Sequence, residues 1–251
     1  MAKNEVAVTE PQNTAVATPA PALVAVEQED MMIPFLKVIQ SLSEEVVPGK
    51  DKYNPDVRPG DIYDSVTRTV FKDAKVIICG LKKYYAEWTP EVRGTLVAKH
   101  RATDPAVVNA VKITKKTDKG TDYITLQTPD GNDLVETYGI VMFVQNDDGL
   151  QMPAVLTLSK TSFIVGKQLS TILAIHQNKG VPVFKLSTAS SSNSKGSWFK
   201  PTFTFDSYEK DENVIGMAQG MSAIADKVLF NNLAGEGGPT ESRDIDDNDI
   251  L

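Results

Sequence analysis

The sequence lacks the features that define several classes of protein. Cys79 is the one cysteine among 251 residues, so neither a disulfide framework nor a cysteine-rich zinc site is available, and a buried structural thiol is expected. No apolar run approaches the length of a membrane span. Prolines interrupt the apolar N-terminal stretch where a secretory signal needs an unbroken one. These absences predict a soluble, cytoplasmic protein without a membrane partner.

Residues for catalysis are equally scarce. The two histidines, His100 and His176, are far apart and have no recognisable partner spacing. A phosphate loop ending at Gly166-Lys167 would need glycine at position 161 and serine or threonine at 168, where Thr161 and Gln168 stand. Four aspartates offer ligands for a nuclease metal, but turn chemistry explains the second pair better: Asp61, Asp64, Asp147 and Asp148. We therefore expect no enzyme, no cofactor and no metal.

Acidic residues are absent from one long segment. Between Gly149 and Phe205 there is no aspartate or glutamate, although six lysines fall there. The net charge of −7 comes from the ends, since residues 1–30 carry −4 and residues 236–251 carry −5, which leaves +2 for the body. A positive surface for an anionic partner is the stronger interpretation, and a neutral stretch with solubilising lysines is the alternative.

Composition divides the chain into a flexible arm over 1–30, one domain over 31–235 and a disordered acidic tail over 236–251. Within the domain, hydrophobic spacing predicts a short helix near 33–42, strands over 67–89 and 134–159, and helices over 163–176 and 211–232. The serine-rich segment 187–197 has the composition of a mobile loop. Gly216 and Gly220, one turn apart, favour close approach of another element, in the core or at an oligomer contact. We therefore expect the α+β class, with an OB-like β-barrel elaborated by several helices.

Cations and flat aromatic rings on strands and loops provide candidate DNA-binding residues. With a period of two, Lys82, Tyr84 and Trp88 share one face of a strand. Trp198 and Lys200 share a face that does not carry the neighbouring phenylalanines. The complete predicted DNA-binding set is Lys82, Lys83, Tyr84, Trp88, Lys115, Lys116, Lys119, Lys160, Lys167, Lys185, Lys195, Trp198 and Lys200. Single-stranded DNA fits this set, because it exposes both a phosphate chain and unstacked bases.

The C-terminal sequence "DIDDNDIL" combines acids with an apolar tip. The predicted partner-binding residues are Asp244, Asp246, Asp247, Asp249, Ile250 and Leu251. An acidic segment can occupy an empty basic groove, and its released tip can bind another protein. This ending resembles the tails of bacterial and bacteriophage single-stranded DNA-binding proteins, and "PFLKVIQSLSEEV" followed by "RPGDIYDS" is similar to phage members. The resemblance implies an OB-like fold, no catalysis and roles in replication, recombination or phage transcription.

The sequence therefore predicts sequence-independent binding of single-stranded DNA in phage replication or recombination, with a tail that recruits partner proteins. A single-stranded DNA-binding cofactor that recruits a phage RNA polymerase has the same features and stays open. A virion or scaffold assembly protein is a second alternative, and a metal-dependent nuclease is the last. Self-association to a homo-oligomer also remains open.

Overall fold

The computed structural model describes residues 33–91, 94–116, 122–145, 149, 151–193 and 196–231. These residues belong to one compact unit that begins at Ile33. The predicted arm and acidic tail lie outside the described residues, as do Lys119 and Lys195. Within the described part of the chain, no helix has both the length and the apolar character needed to cross a bilayer.

The described residues form a mixed sheet and three α-helices. The strands are β1 (Phe35–Val38), β2 (Ile62–Asp64), β3 (Val70–Phe71), β4 (Ala74–Trp88), β5 (Leu96–His100), β6 (Val111–Lys116), β7 (Asp122–Gln127), β8 (Asp133–Gln145), β9 (Gln151–Ser159), β10 (Pro182–Asn193) and β11 (Gly196–Tyr208). The helices are α1 (Pro105–Val108), α2 (Phe163–His176) and α3 (Glu212–Asn231), and short 3₁₀ turns cover Glu44–Val46 and Lys160–Ser162. The predicted α+β class is confirmed.

The sheet curls into a half-barrel. Its main strand order is β11-β10-β4-β8-β9-β1-β2-β3, and every pair is antiparallel except β1 with β9. β5 pairs with the far end of β4, while β7 pairs with the start of β8 and carries β6. At the seam, the Gln40 amide donates to the Phe199 carbonyl at 2.9 Å and accepts from the Phe199 N–H at 2.9 Å. One side chain of the segment after β1 thereby binds the free edge of β11.

The two faces of the sheet carry separate cores. The face inside the curl, here called the inner face, bears Val76, Ile140 and Leu156 and packs against α2. The outer face bears Ile77, Val141 and Val155 and packs against α3. Cys79 is 6% exposed on the outer side, and its burial raises the pKa of the thiol to about 11. The expected structural thiol is confirmed.

Two segments differ from their predicted structure. Residues 35–38 form a strand and not a helix, because β1 lies between β9 and β2 and both of its faces are covered. In a strand covered on both faces, apolar residues do not alternate with polar ones, and here their spacing matches the one expected of a helix. The predicted serine-rich loop is mostly hairpin, since β10 continues to Asn193 and pairs with β11 as far as Gly196. The predicted strand over 67–89 and the helices α2 and α3 are confirmed.

Glycines in the two long helices have opposite surroundings. A Cβ at Gly166 in α2 would lie 2.4 Å from Cδ2 and 2.9 Å from Cβ of Tyr138, so this glycine permits α2 to pack on the sheet. At Gly216 and Gly220 in α3, a Cβ would have nothing within 4 Å. The expectation that these two glycines admit another element of the core is therefore wrong.

Alanine substitution at these positions tests the packing. Gly166→Ala should lower the free energy of unfolding by about 1–3 kcal/mol, because the methyl group overlaps Tyr138. Gly216→Ala should raise it by about 0.5–1 kcal/mol, because it removes the entropic cost of a helical glycine without a clash. Urea unfolding of both variants measures the difference, and equal effects would contradict this account of α2.

Candidate nucleic-acid interface

The inner face of the sheet continues beyond the region that α2 covers. Lys83 and Tyr85 of β4 project from it, because they pair with Tyr138 and Glu136 of β8 in the same alternation as Ile140. Directly paired residues project to one side of a sheet. The same face therefore continues across the sheet from β4 to β6. Three successive pairs connect it: Glu87–Leu134, Leu134–Leu126 and Leu126–Lys112.

Two further lysines and an apolar residue join the face on the β6–β7 hairpin. Lys112 and Lys116 are two alternations apart, and Thr114 between them pairs with Ile124, which is 73% exposed. Three strand spacings of about 4.8 Å place β6 about 14 Å from β4. We define the lysine face as Lys83, Tyr85, Lys112, Lys116 and Ile124, together with Phe163 and Lys167 of α2.

α2 contributes a ring and a cation to the edge of this face. The Phe163 ring lies 4.8 Å from the Tyr138 ring between their centroids. The ammonium groups of Lys83 and Lys167 lie 5.8 Å and 5.2 Å from the Phe163 centroid, and Lys83 also lies 5.5 Å from that of Tyr85. Such cation–π contacts hold both lysines beside aromatic rings. The predicted residues Lys83 and Lys167, distant in sequence, meet here.

A carboxylate lies between these cations. Lys83 Nζ is 2.6 Å from Oε1 of Glu136, and the Tyr85 hydroxyl donates to the same oxygen at 2.9 Å. Burial alone would raise the pKa of Glu136, but hydrogen bonds from Lys83 and Tyr85 and the charge of Lys167 outweigh it and lower the pKa. The hydrogen bond to Glu136 raises the pKa of Lys83. The carboxylate and the ammonium therefore remain ionised near neutral pH.

A second carboxylate anchors the far end of the face. Glu87 is 6% exposed, and its two oxygens contact His100 Nε2 at 2.5 Å and Asn132 Nδ2 at 2.8 Å. Although burial acts to raise the pKa of Glu87, these hydrogen bonds lower it. Sequence spacing missed the pair because His100 lies on the neighbouring strand. The other histidine, His176, stacks on Phe205 at 4.3 Å, as expected of a packed imidazole.

The strand face chosen from the sequence for β4 is the covered one. Tyr84 is fully buried, with its ring 5.9 Å from that of Phe230 in α3. Lys82 Nζ lies 3.8 Å from Asp226 of the same helix, and Trp88 is half-buried. The expectation that Tyr84 presents an exposed ring is wrong, because a period of two identifies residues that share a face but not which face a helix covers.

The two adjacent lysines of β6 have different surroundings. Lys115 lies on the outer side and contacts Asp133 at 2.6 Å, where the carboxylate side chain is 1% exposed. Lys116 is exposed on the lysine face. Lys115 is thus part of a buried ion pair, while Lys112, which the sequence analysis missed, lies with Lys116. The sequence did contain a sign of this placement. Lys112 is four residues from Lys116, and residues four apart in a strand project from the same face.

The β10–β11 hairpin presents its predicted residues on the outer face. Lys185 lies 3.0 Å from Asp73, Trp198 and Lys200 are half-buried, and all three are on the opposite side of the sheet from Lys83. Lys185 pairs with Lys75, eight residues and about 26 Å along β4 from Lys83. Lys160 lies partly exposed in the turn before α2. The lysines of the acid-free segment therefore do not lie on a single surface.

Comparison with known proteins places the chain in a phage protein family. The model of the family described as "Pam3 phage gp34-like protein" matches residues 21–227. The chain belongs to this family. No curated protein and no solved structure matches it.

The two lysines of β6 provide a stability test of the assigned faces. Lys115→Met should lower the free energy of unfolding by about 3 kcal/mol, because it leaves the charge of Asp133 buried without this cation. Lys116→Met should change it by less than about 0.5 kcal/mol, because the side chain is exposed. Thermal or urea unfolding distinguishes the variants, and a reversed order would show that the strand faces are misassigned.

Proposed function

We propose that this phage protein binds single-stranded DNA through the lysine face, without catalysis and largely independently of sequence, in replication or recombination. The observation that carries the proposal is the arrangement of four exposed lysines beside two half-buried rings on one side of the sheet. The lysines are Lys83, Lys112, Lys116 and Lys167, and the rings are Tyr85 and Phe163.

The chemistry of the face favours single strands over duplex. Lysines spread over about 14 Å can follow a phosphate backbone, and aromatic rings among them offer surfaces on which unpaired bases stack. On the paired residues of β4, β6, β7 and β8 that project here, the exposed carboxylates are those of Glu136 and Asp122. The lysines thus outnumber them, in a protein whose overall charge is −7.

A titration of a fluorescent oligonucleotide at several salt concentrations tests the function. We expect single strands to bind more tightly than duplex, with log affinity falling by about 0.7 per phosphate contacted for each unit of log salt. Tyr85→Ala should weaken binding by about 1–3 kcal/mol through loss of base stacking.

Trp198→Ala is the matched control for Tyr85→Ala. Trp198 is a half-buried aromatic residue on the outer face, so its loss should leave binding unchanged. A loss of affinity in Trp198→Ala alone would move the interface to the β10–β11 hairpin, where Lys185 and Lys200 also lie. Absence of salt-dependent binding to single strands would contradict the proposal as a whole.

The acidic tail, outside the described residues, is proposed to compete with DNA and to recruit partner proteins in the host cytoplasm. Deletion of residues 240–251 should tighten DNA binding, because it removes an acidic segment that carries the same sign of charge as DNA. The same deletion should abolish capture of replication or recombination proteins, or of an RNA polymerase, by the immobilised protein. Unchanged affinity and unchanged capture would reject both roles of the tail.

A further inference from the structure

Glu136 has the surroundings of a bound anion. The donors of Lys83 and Tyr85 converge on one carboxylate oxygen, at 2.6 Å and 2.9 Å. These distances are those of charge-assisted and ordinary hydrogen bonds to an anionic oxygen. Lys167 acts on the same carboxylate through its charge, and the Phe163 ring lies within 6 Å of both ammonium groups. Lys83 and the Tyr85 hydroxyl therefore contact the carboxylate directly, and Lys167 is near enough for its charge to act on it.

The contact between Lys83 and Glu136 is suited to exchange. Both side chains are 41% exposed, and ion pairs at such positions contribute only about 0–1 kcal/mol to stability. Replacement of the carboxylate by another anion therefore costs the fold little. The pair differs in this respect from Lys115 and Asp133, where the carboxylate is 1% exposed and its contact cannot be lost cheaply.

We propose that Lys83, Tyr85 and Lys167 form a phosphate subsite of the lysine face, which the Glu136 carboxylate occupies until a backbone phosphate of DNA replaces it. This inference rests on the proposed function. A phosphodiester has two non-bridging oxygens that share one negative charge, so it can accept hydrogen bonds from both lysines and from the hydroxyl. Glu136 then acts as an internal competitor that lowers the affinity for every anionic ligand. A ligand that makes only a single weak phosphate contact is thereby excluded from the subsite.

Removal of the competitor gives the sharpest test. Glu136→Gln should tighten binding of a single-stranded oligonucleotide by about 2- to 5-fold at low salt, which corresponds to the free energy of a surface ion pair. It should also steepen the dependence of log affinity on log salt, because the freed Glu136 carboxylate of the wild-type protein takes up a cation when DNA replaces it, and the glutamine does not.

Glu44→Gln is the matched control, since Glu44 is a partly exposed glutamate of the first 3₁₀ turn, 3.9 Å from Lys52, and its replacement changes the net charge equally. We expect less than about a twofold change in affinity and no change of slope, because distant exposed charges are screened. Lys167→Met in the Glu136→Gln background should remove most of the gain. If Glu136→Gln does not fold, the DNA affinities of Lys167→Met and Lys185→Met are compared instead. We expect weaker binding for Lys167→Met and unchanged binding for Lys185→Met.

The outcomes separate this inference from the proposed function. If the wild-type protein binds single strands with salt dependence but Glu136→Gln tightens no more than Glu44→Gln, the subsite is refuted and the function stands. Weaker binding by Glu136→Gln refutes it equally. If the wild-type protein does not bind single strands at all, the function fails and the subsite with it.

Discussion

The pairing of β4 with β8 determines the rest of the molecule. Thirteen residues of β4 have partners in β8, and this long ladder extends well past the region where α2 and α3 cover the sheet. Because side chains alternate along it, one register decides which residues enter each core and which lysines project on the uncovered part. Gly139 fixes the register tightly, since a Cβ there would lie 2.7 Å from Leu229 and 2.9 Å from Tyr84.

The location of each lysine on the described surface depends on the face of the sheet from which it projects, and not on the segment of the sequence in which it lies. The absence of acids between Gly149 and Phe205 is a property of the sequence, but its lysines separate onto both sides of the sheet. The lysine face instead combines residues from four parts of the chain, and carboxylates lie among them. Under the proposed function, such a face would bind a DNA backbone with an affinity that falls as the salt concentration rises.

Much of the fold can be predicted from the sequence. The strands β3 and β4, the helix α2 and most of α3 follow from hydrophobic spacing and from capping residues. β1 could not be predicted because burial on both sides removes the alternation that identifies a strand. The serine-rich hairpin could not either, since its stability comes from cross-strand pairing, such as the contact of Ser187 with Thr202 at 3.0 Å.

The candidate site was predicted only in part for a different reason. Lys83, Lys116 and Lys167 were identified as cations, but their common location depends on pairs between strands that are distant in sequence. Tyr84 and Tyr85 are adjacent tyrosines, and only the position of α3 makes one a core residue and the other part of the surface. Phe163 and Glu136 gave no sign of their role, because an amphipathic helix and a strand contain such residues routinely.

The β10–β11 hairpin is attached to the remainder of the sheet by unequal means. β10 is bonded to β4 only over Val183–Leu186, although it extends to Asn193, and at its other margin β11 is held by the amide of Gln40. Beyond Leu186 the hairpin is therefore attached by side chains on both margins, since the Thr188 hydroxyl of β10 also donates to the Gly60 carbonyl. A rearrangement of this end of the hairpin would break these side-chain hydrogen bonds, whereas no backbone ladder with β4 would have to open beyond Leu186.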